Sequence, residues 1–161
     1  MVTNETGFCF RGGAGIGKTH LAVAVSKMYF DPEDANTIAT TGQDERINYR
    51  DAFIFETAPN LMSEIKGTFG NNSKETEKSV VDRYSDVKLL VLDDLGSEKE
   101  SEYSIMAIYA ILSNRINWMR PTIITTNKTL SELGKWSERI ASRLSAFETL
   151  KLPEIDRRVL K

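Results

Sequence analysis

Short apolar runs alternate along the chain with longer segments in which hydrophobic residues return every three or four positions, the arrangement of a mostly parallel sheet whose strands are joined by helices. Gly7–Arg11 reads as a first strand leading into a glycine-rich stretch. Lys18–Phe30 then sets Leu21, Ala22, Val25 and Met28 along one helical stripe, and Asp31-Pro32 stops the helix. Asn36–Arg50 is polar and reads as a connection, Ala52–Glu56 as the second strand, and Pro59 opens a helix running to Lys66. Gly67–Ser73 reads as a mobile loop, and a helix over Glu75–Tyr84 feeds the strand Lys88–Asp93. The near-continuous hydrophobicity of that strand suits a central position buried on both faces. Ser101–Trp118 is predicted as a long helix, Thr122–Thr126 after Pro121 as a fourth strand, Ser131–Leu144 as one more helical region and Phe147–Leu152 as the fifth strand. No internal repeat, low-complexity tract or linker interrupts this pattern.

At 161 residues the chain fits a single α/β domain able to bury a core without disulfides or structural metal. A net charge of -2 argues against a broadly basic nucleic-acid coat, although a local basic patch stays open. The lone cysteine, Cys9, lies in an apolar stretch and reads as a small core residue in a reducing compartment. No apolar run reaches the roughly 18 residues needed to span a bilayer, and no signal pattern opens the chain, so a cytoplasmic protein without a membrane partner is expected. Only Met1–Thr6 precede the first strand, which raises the expectation of an N-terminal domain lying outside this chain.

The chemistry concentrates in four places. Gly12-Gly13-Ala14-Gly15-Ile16-Gly17-Lys18-Thr19 satisfies G-x-x-x-x-G-K-[ST] in full and sits between a predicted strand and a predicted helix. Glycines let backbone N–H groups wrap a phosphate and the following helix presents its positive end. Lys18 reaches the β- and γ-phosphates and the Thr19 hydroxyl coordinates Mg²⁺, which points to ATP/ADP with Mg²⁺. The phosphate-binding stretch is taken through His20, whose side chain is expected to pack or cap locally, since no second metal ligand has suitable spacing. Leu89–Gly96 delivers Asp93 and Asp94 at the carboxyl end of the buried strand, where ligands bind in open α/β sheets. Mg²⁺ with an attacking water gives each a role: Asp93 holds the metal, and Asp94 orients or deprotonates water. Thr125-Thr126-Asn127 ends the fourth strand in an amide that either contacts the attacking water or γ-phosphate or simply forms a turn. Glu138–Leu144 carries Arg139 and Arg143 at i, i+4 on one helix face, a pair suited to phosphoryl charge or else to a solvated surface. Trp118 and Trp136 are read as packing residues at helix ends.

Taken in order, the phosphate loop, LLVLDDLG, TIITTN and ERIASRL resemble the AAA+ ATPases, most closely the DnaC/DnaI-type helicase loaders with their relative IstB. Further shared segments are GKTHLA at Gly17–Ala22, TAPNLMSEIK at Thr57–Lys66, DRYSDVKLLVLDDLGSE at Asp82–Glu98 and NRINWMRPTIITTN at Asn114–Asn127. The resemblance covers nearly the whole chain, as a single AAA+ domain over residues 1–161. It implies a P-loop NTPase three-layer sandwich whose five-stranded parallel sheet runs in the order 5-1-4-3-2. By position, Asn127 resembles the sensor-1 residue and Arg143 the arginine finger that reaches a neighbour's γ-phosphate, with Arg139 the lesser candidate. Arg157 and Arg158 are not assigned a sensor-2 role. Single-stranded DNA, a replicative helicase and a homo-oligomer formed with ATP are the implied partners, and the helicase-docking N-terminal domain is absent from this chain. Lys66, Lys74 and Lys78 fall in the region resembling the loaders' DNA-facing insertion, among Glu64, Glu75 and Glu77. Asp94 stands where the AAA+ base is commonly Glu, one methylene longer, which implies slow hydrolysis suited to a switch. An IstB-like transposition ATPase and a non-hydrolysing ATP-gated interaction module are the alternatives; a small-substrate kinase would not require the DDLG, TTN and paired-arginine segments together.

Overall fold

A computed structural model describes residues 7–29, 53–69, 75–97 and 102–154. The predicted connection Asn36–Arg50, the Asp31-Pro32 helix stop, most of the Gly67–Ser73 loop, Lys74, Arg157 and Arg158 lie outside the described residues. The elements run β1 (Gly7–Arg11), α1 (Lys18–Tyr29), β2 (Phe53–Thr57), α2 (Ala58–Gly67), α3 (Glu77–Asp86), β3 (Leu89–Asp93), α4 (Glu102–Asn117), β4 (Thr122–Thr126), α5 (Leu130–Trp136), α6 (Glu138–Leu144) and β5 (Glu148–Lys151). All strand pairings are parallel and the sheet order is β2-β3-β4-β1-β5, the expected 5-1-4-3-2 read from its other edge.

The period-two alternation of each strand divides its side chains between two layers. Phe10, Leu89, Val91 and Ile123 face α1 and pack with Ala22. Cys9, Leu90, Leu92 and Ile124 face the other way into the larger core, which holds Leu61 and Ile65 of α2, Val80 and Tyr84 of α3, Ile108 and Ile111 of α4, and Ile140 and Leu144 of α6. Every residue of β3 and β4 is buried, as the apolar run Lys88–Asp93 predicts for a central strand, whereas β5 is an exposed edge. Burial pushes the Cys9 thiol up to about 11, so it stays protonated and inert at neutral pH, in keeping with a core role. At Gly7 the strands approach so closely that a Cβ would stand 1.9 Å from the Thr122 carbonyl oxygen, and only glycine fits.

Polar groups are tied down locally. Thr57, Thr76 and Thr129 cap α2, α3 and α5, the last two in capping boxes with Ser79 and Glu132. Arg115 of α4 is fully buried. It donates to Thr122 Oγ1 (2.8 Å) and to the carbonyls of Tyr84 (2.9 Å), Ser85 (3.1 Å), Val87 (2.8 Å) and Pro121 (2.6 Å). This one side chain fastens the end of α3 and the entries to β3 and β4 to the helix that covers them.

Two expectations are corrected. The helical region Ser131–Leu144 is two helices, because Ser137 takes an extended conformation (φ -159°, ψ 111°) and its hydroxyl accepts from the Ile140 N–H to start α6 anew. Trp118 does not pack at a helix end: it lies just past α4, 52% exposed, with the Arg120 guanidinium 5.9 Å over its ring. Trp136 is buried in the core as expected.

Candidate nucleotide-binding site

The loop between β1 and α1 turns on three glycines with positive φ, Gly12 (150°), Gly15 (78°) and Gly17 (96°), values that side chains with a Cβ rarely adopt. Ile16 is buried beneath it, while Gly13 and Ala14 are exposed on the arch. Lys18 is the first residue of α1, and its ammonium is held in the mouth of the loop by Gly12 O (3.0 Å), Gly13 O (2.7 Å) and Asn127 Oδ1 (2.5 Å). Next to it, the Thr19 hydroxyl lies 3.1 and 3.0 Å from the two carboxylate oxygens of Asp93. His20 follows in the first turn of α1 with its side chain exposed, so the expected packing of the ring is not seen.

Asp93 ends β3 and is buried at 4% exposure. Its Oδ1 accepts a second hydrogen bond from Thr125 Oγ1 (2.6 Å) on the neighbouring strand. Beyond it the chain turns sharply: Asp94 has φ 56° and Gly96 φ 86°. The turn is held by β4, through Asp94 N–H to Thr125 Oγ1 (3.0 Å), Leu95 N–H to Thr125 O (2.9 Å) and Thr126 Oγ1 to Leu95 O (2.7 Å). The Gly12 N–H also reaches Thr126 O (3.3 Å), so β4 binds the phosphate loop on one side and the acidic turn on the other. Thr125 was legible only as part of a strand ending in Asn127; its part in the site depends on β3 lying alongside, which spacing alone does not reveal.

The structure therefore brings together Lys18, Thr19, Asp93 and Asn127 through direct contacts, with Asp94 adjoining. Beside the loop opens a cleft of about 490 Å³ lined by Arg11, Gly12, Gly13, Ala14, Ile16, Asn127, Thr129, Lys151 and Glu154. A hydroxyl and a carboxylate in hydrogen-bond contact are hard oxygen donors of the kind Mg²⁺ takes alongside substrate phosphates. Among the described residues no group of three or more His, Cys, Asp and Glu is placed to hold a metal by itself.

Arg143 stands apart from this cluster. Its Nη2 donates to Tyr109 OH (3.0 Å) and the guanidinium lies 5.2 Å over the Tyr109 ring, joining α6 to α4. The bond holds the Tyr109 hydroxyl below its ordinary pKa by favouring the phenolate. Arg139 is exposed. Of the three lysines in the segment that resembles the DNA-facing insertion, Lys66 is exposed and Lys78 is paired with Asp82. Nearby Arg83 is shared between Glu64 and Glu75.

Comparison with known proteins places this geometry in a family. The bacterial DnaA ATPase domain matches residues 4–149. The replicative helicase loader DnaC of Escherichia coli K12 is 32% identical over 148 residues, covering 91% of this chain and 53% of that protein. The chain thus spans about half the length of the curated relatives it matches. A crystal structure of the DnaC helicase loader superposes with a TM-score of 0.67, with 26% identity over 95% of this chain and 82% of that one. AMPPCP-bound DnaA from Aquifex aeolicus matches at a TM-score of 0.67, with 20% identity, over 98% of this chain and 43% of that one, and shares the fold. With its phosphate loop, acidic turn and 5-1-4-3-2 sheet, the chain belongs to the bacterial DnaA ATPase domain family, within the AAA+ P-loop fold.

Proposed function

We propose that this chain is the ATPase domain of a helicase loader acting in DNA replication: it binds ATP with Mg²⁺, assembles with copies of itself on single-stranded DNA, and uses slow hydrolysis to release its partner. The observation that carries the reading is the joined cluster in which Thr19 contacts Asp93 while Lys18 contacts Asn127. The relatedness to the DnaC helicase loader supports the replication role.

On this reading, the loop N–H groups and the start of α1 bind the phosphates, and Lys18 neutralises the β- and γ-oxygens. Thr19 and Asp93 would hold Mg²⁺, which would supply charge neutralisation to the bound polyphosphate. Asp94 orients the attacking water and accepts its proton, helped by Asn127. Arg143 completes the site of a neighbouring protomer, and its Tyr109 contact holds the guanidinium in a defined direction.

The test is ATP turnover per monomer across a wide protein concentration range, with and without single-stranded DNA. Specific activity is expected to climb with concentration and to fall by about three orders of magnitude in Arg143→Ala. Activity that is flat with concentration and insensitive to Arg143→Ala rejects the shared site. Binding without turnover under every condition selects an ATP-gated interaction module, and a preference for duplex over single-stranded DNA selects an IstB-like transposition role.

A further inference from the structure

We infer that Thr125 is a positioning residue that sets the magnesium-binding orientation of Asp93 and, with the same hydroxyl, the backbone of Asp94. The inference rests on the nucleotide and magnesium reading above and assigns a further residue to that site. Its basis is the double use of one fully buried oxygen: Thr125 Oγ1 donates to Asp93 Oδ1 at 2.6 Å and accepts the Asp94 N–H at 3.0 Å.

A hydroxyl has one hydrogen, and the bond to Asp93 uses it; the bond from Asp94 occupies a lone pair. The two bonds are therefore compatible and fix each other's direction. With Oδ1 pinned from β4, the carboxylate cannot turn freely about its Cβ–Cγ bond. Among the described hydrogen bonds Oδ2 accepts only from Thr19, at 3.0 Å, which leaves that oxygen on the side of the phosphate loop. The second bond secures Asp94 at φ 56°, a left-handed conformation that a non-glycine residue adopts uncommonly.

Threonine suits the task better than serine. Its β-branched side chain is stiff at χ1, so the hydroxyl direction is set by the strand itself. The neighbouring Leu95 N–H to Thr125 O bond (2.9 Å) and the Thr126 hydroxyl's bond to Leu95 O (2.7 Å) brace the same turn independently of the Thr125 side chain. A change at Thr125 that keeps the backbone thus removes the orienting hydroxyl without removing the turn. Supporting partners of metal ligands are commonly worth about 10- to 100-fold in metal affinity.

The experiment follows fluorescence of mant-ATP bound to the full chain, first in EDTA and then through a Mg²⁺ titration, for wild type, Thr125→Val and Thr125→Ser. Thr125→Val, which keeps the shape and loses the hydroxyl, is expected to raise the Mg²⁺ midpoint by about tenfold or more, with affinity in EDTA within about twofold of wild type. Thr125→Ser, which restores the hydroxyl, is expected to stay within about threefold of wild type. An unchanged midpoint in Thr125→Val overturns the inference, as does an equal loss of affinity in EDTA, which marks a merely structural role. Should Thr125→Val not fold, Thr125→Cys, with the shape of serine but a much weaker donor, is expected to raise the midpoint clearly above that of Thr125→Ser, and a midpoint equal to that of Thr125→Ser overturns the inference equally. If wild type itself binds no mant-ATP, the nucleotide reading falls and this inference with it; if wild type binds and the variants match its Mg²⁺ dependence, only the role of Thr125 falls.

Discussion

At the scale of single residues, Arg115 shows how much one side chain can hold together when it is buried whole. Its five hydrogen bonds reach four backbone carbonyls and the Thr122 hydroxyl, all but the Pro121 contact fully buried. Burial pushes its pKa down to about 10, which leaves the guanidinium charged at neutral pH. Arg115→Met is expected to cost about 3 kcal/mol or more, because each acceptor stranded in the core loses about 1–3 kcal/mol. Thermal unfolding should then shift downward by about 10 °C in a domain of this size, while a shift under about 2 °C would mean that the carbonyls find other donors. Arg115→Lys should recover little of this loss, since an ammonium offers three donors at one point rather than a planar fork. The phosphate loop was legible in the sequence because its chemistry lies in glycine spacing and in two residues beside it in the chain. Arg115 and Thr125 were not, because each acts on partners that are neighbours only after folding: Tyr84 and Ser85 for one, Asp93 and Asp94 for the other.

At the scale of elements, hydrophobic period was a sound guide to strands and helices, and local capping explains where it slipped. All five strands overlap their predicted positions, since short apolar runs bounded by turns have few alternatives. The region Ser131–Leu144 kept a helical period across a break, because Leu133, Ile140 and Leu144 all face the same core whether or not the helix is continuous. The break is made by Ser137, which closes α5 through its N–H to Leu133 O (2.7 Å) and opens α6 through its side chain. Ser137→Ala is expected to cost about 1 kcal/mol, the usual worth of an N-cap, and to lower the unfolding midpoint by about 2–4 °C. Because α6 carries Arg143, the same change should reduce ATP turnover at limiting protein concentration more than it reduces ATP binding. Equal losses in both would separate the cap from the arginine.

At the scale of the whole molecule, the site exists because of strand order. Lys18 and Thr19 follow β1, Asp93 ends β3, and Asn127 follows β4; β4 lies between the other two, so residues more than 70 positions apart meet at one sheet edge. Periodicity gives strands but no order, and the order came from resemblance to a family, which the sheet then matched. On the proposed reading each protomer would supply two separable parts, a phosphate-binding edge around Lys18 and an arginine on α6 that makes its contact with Tyr109 instead. If the second part serves a neighbour, two inactive variants should complement each other. On that reading Lys18→Ala should lose phosphate binding yet present an intact Arg143, and Arg143→Ala should bind nucleotide yet offer no finger. Mixed in equal amounts with random neighbours, half of the sites carry Lys18 and half of their neighbours carry Arg143, so turnover should return to about a quarter of wild type. Each variant alone should remain near background. Co-sedimentation of the two variants with no recovery of turnover would place the arginine's work within its own protomer or outside the reaction, whereas recovery can arise only at a site built from both chains.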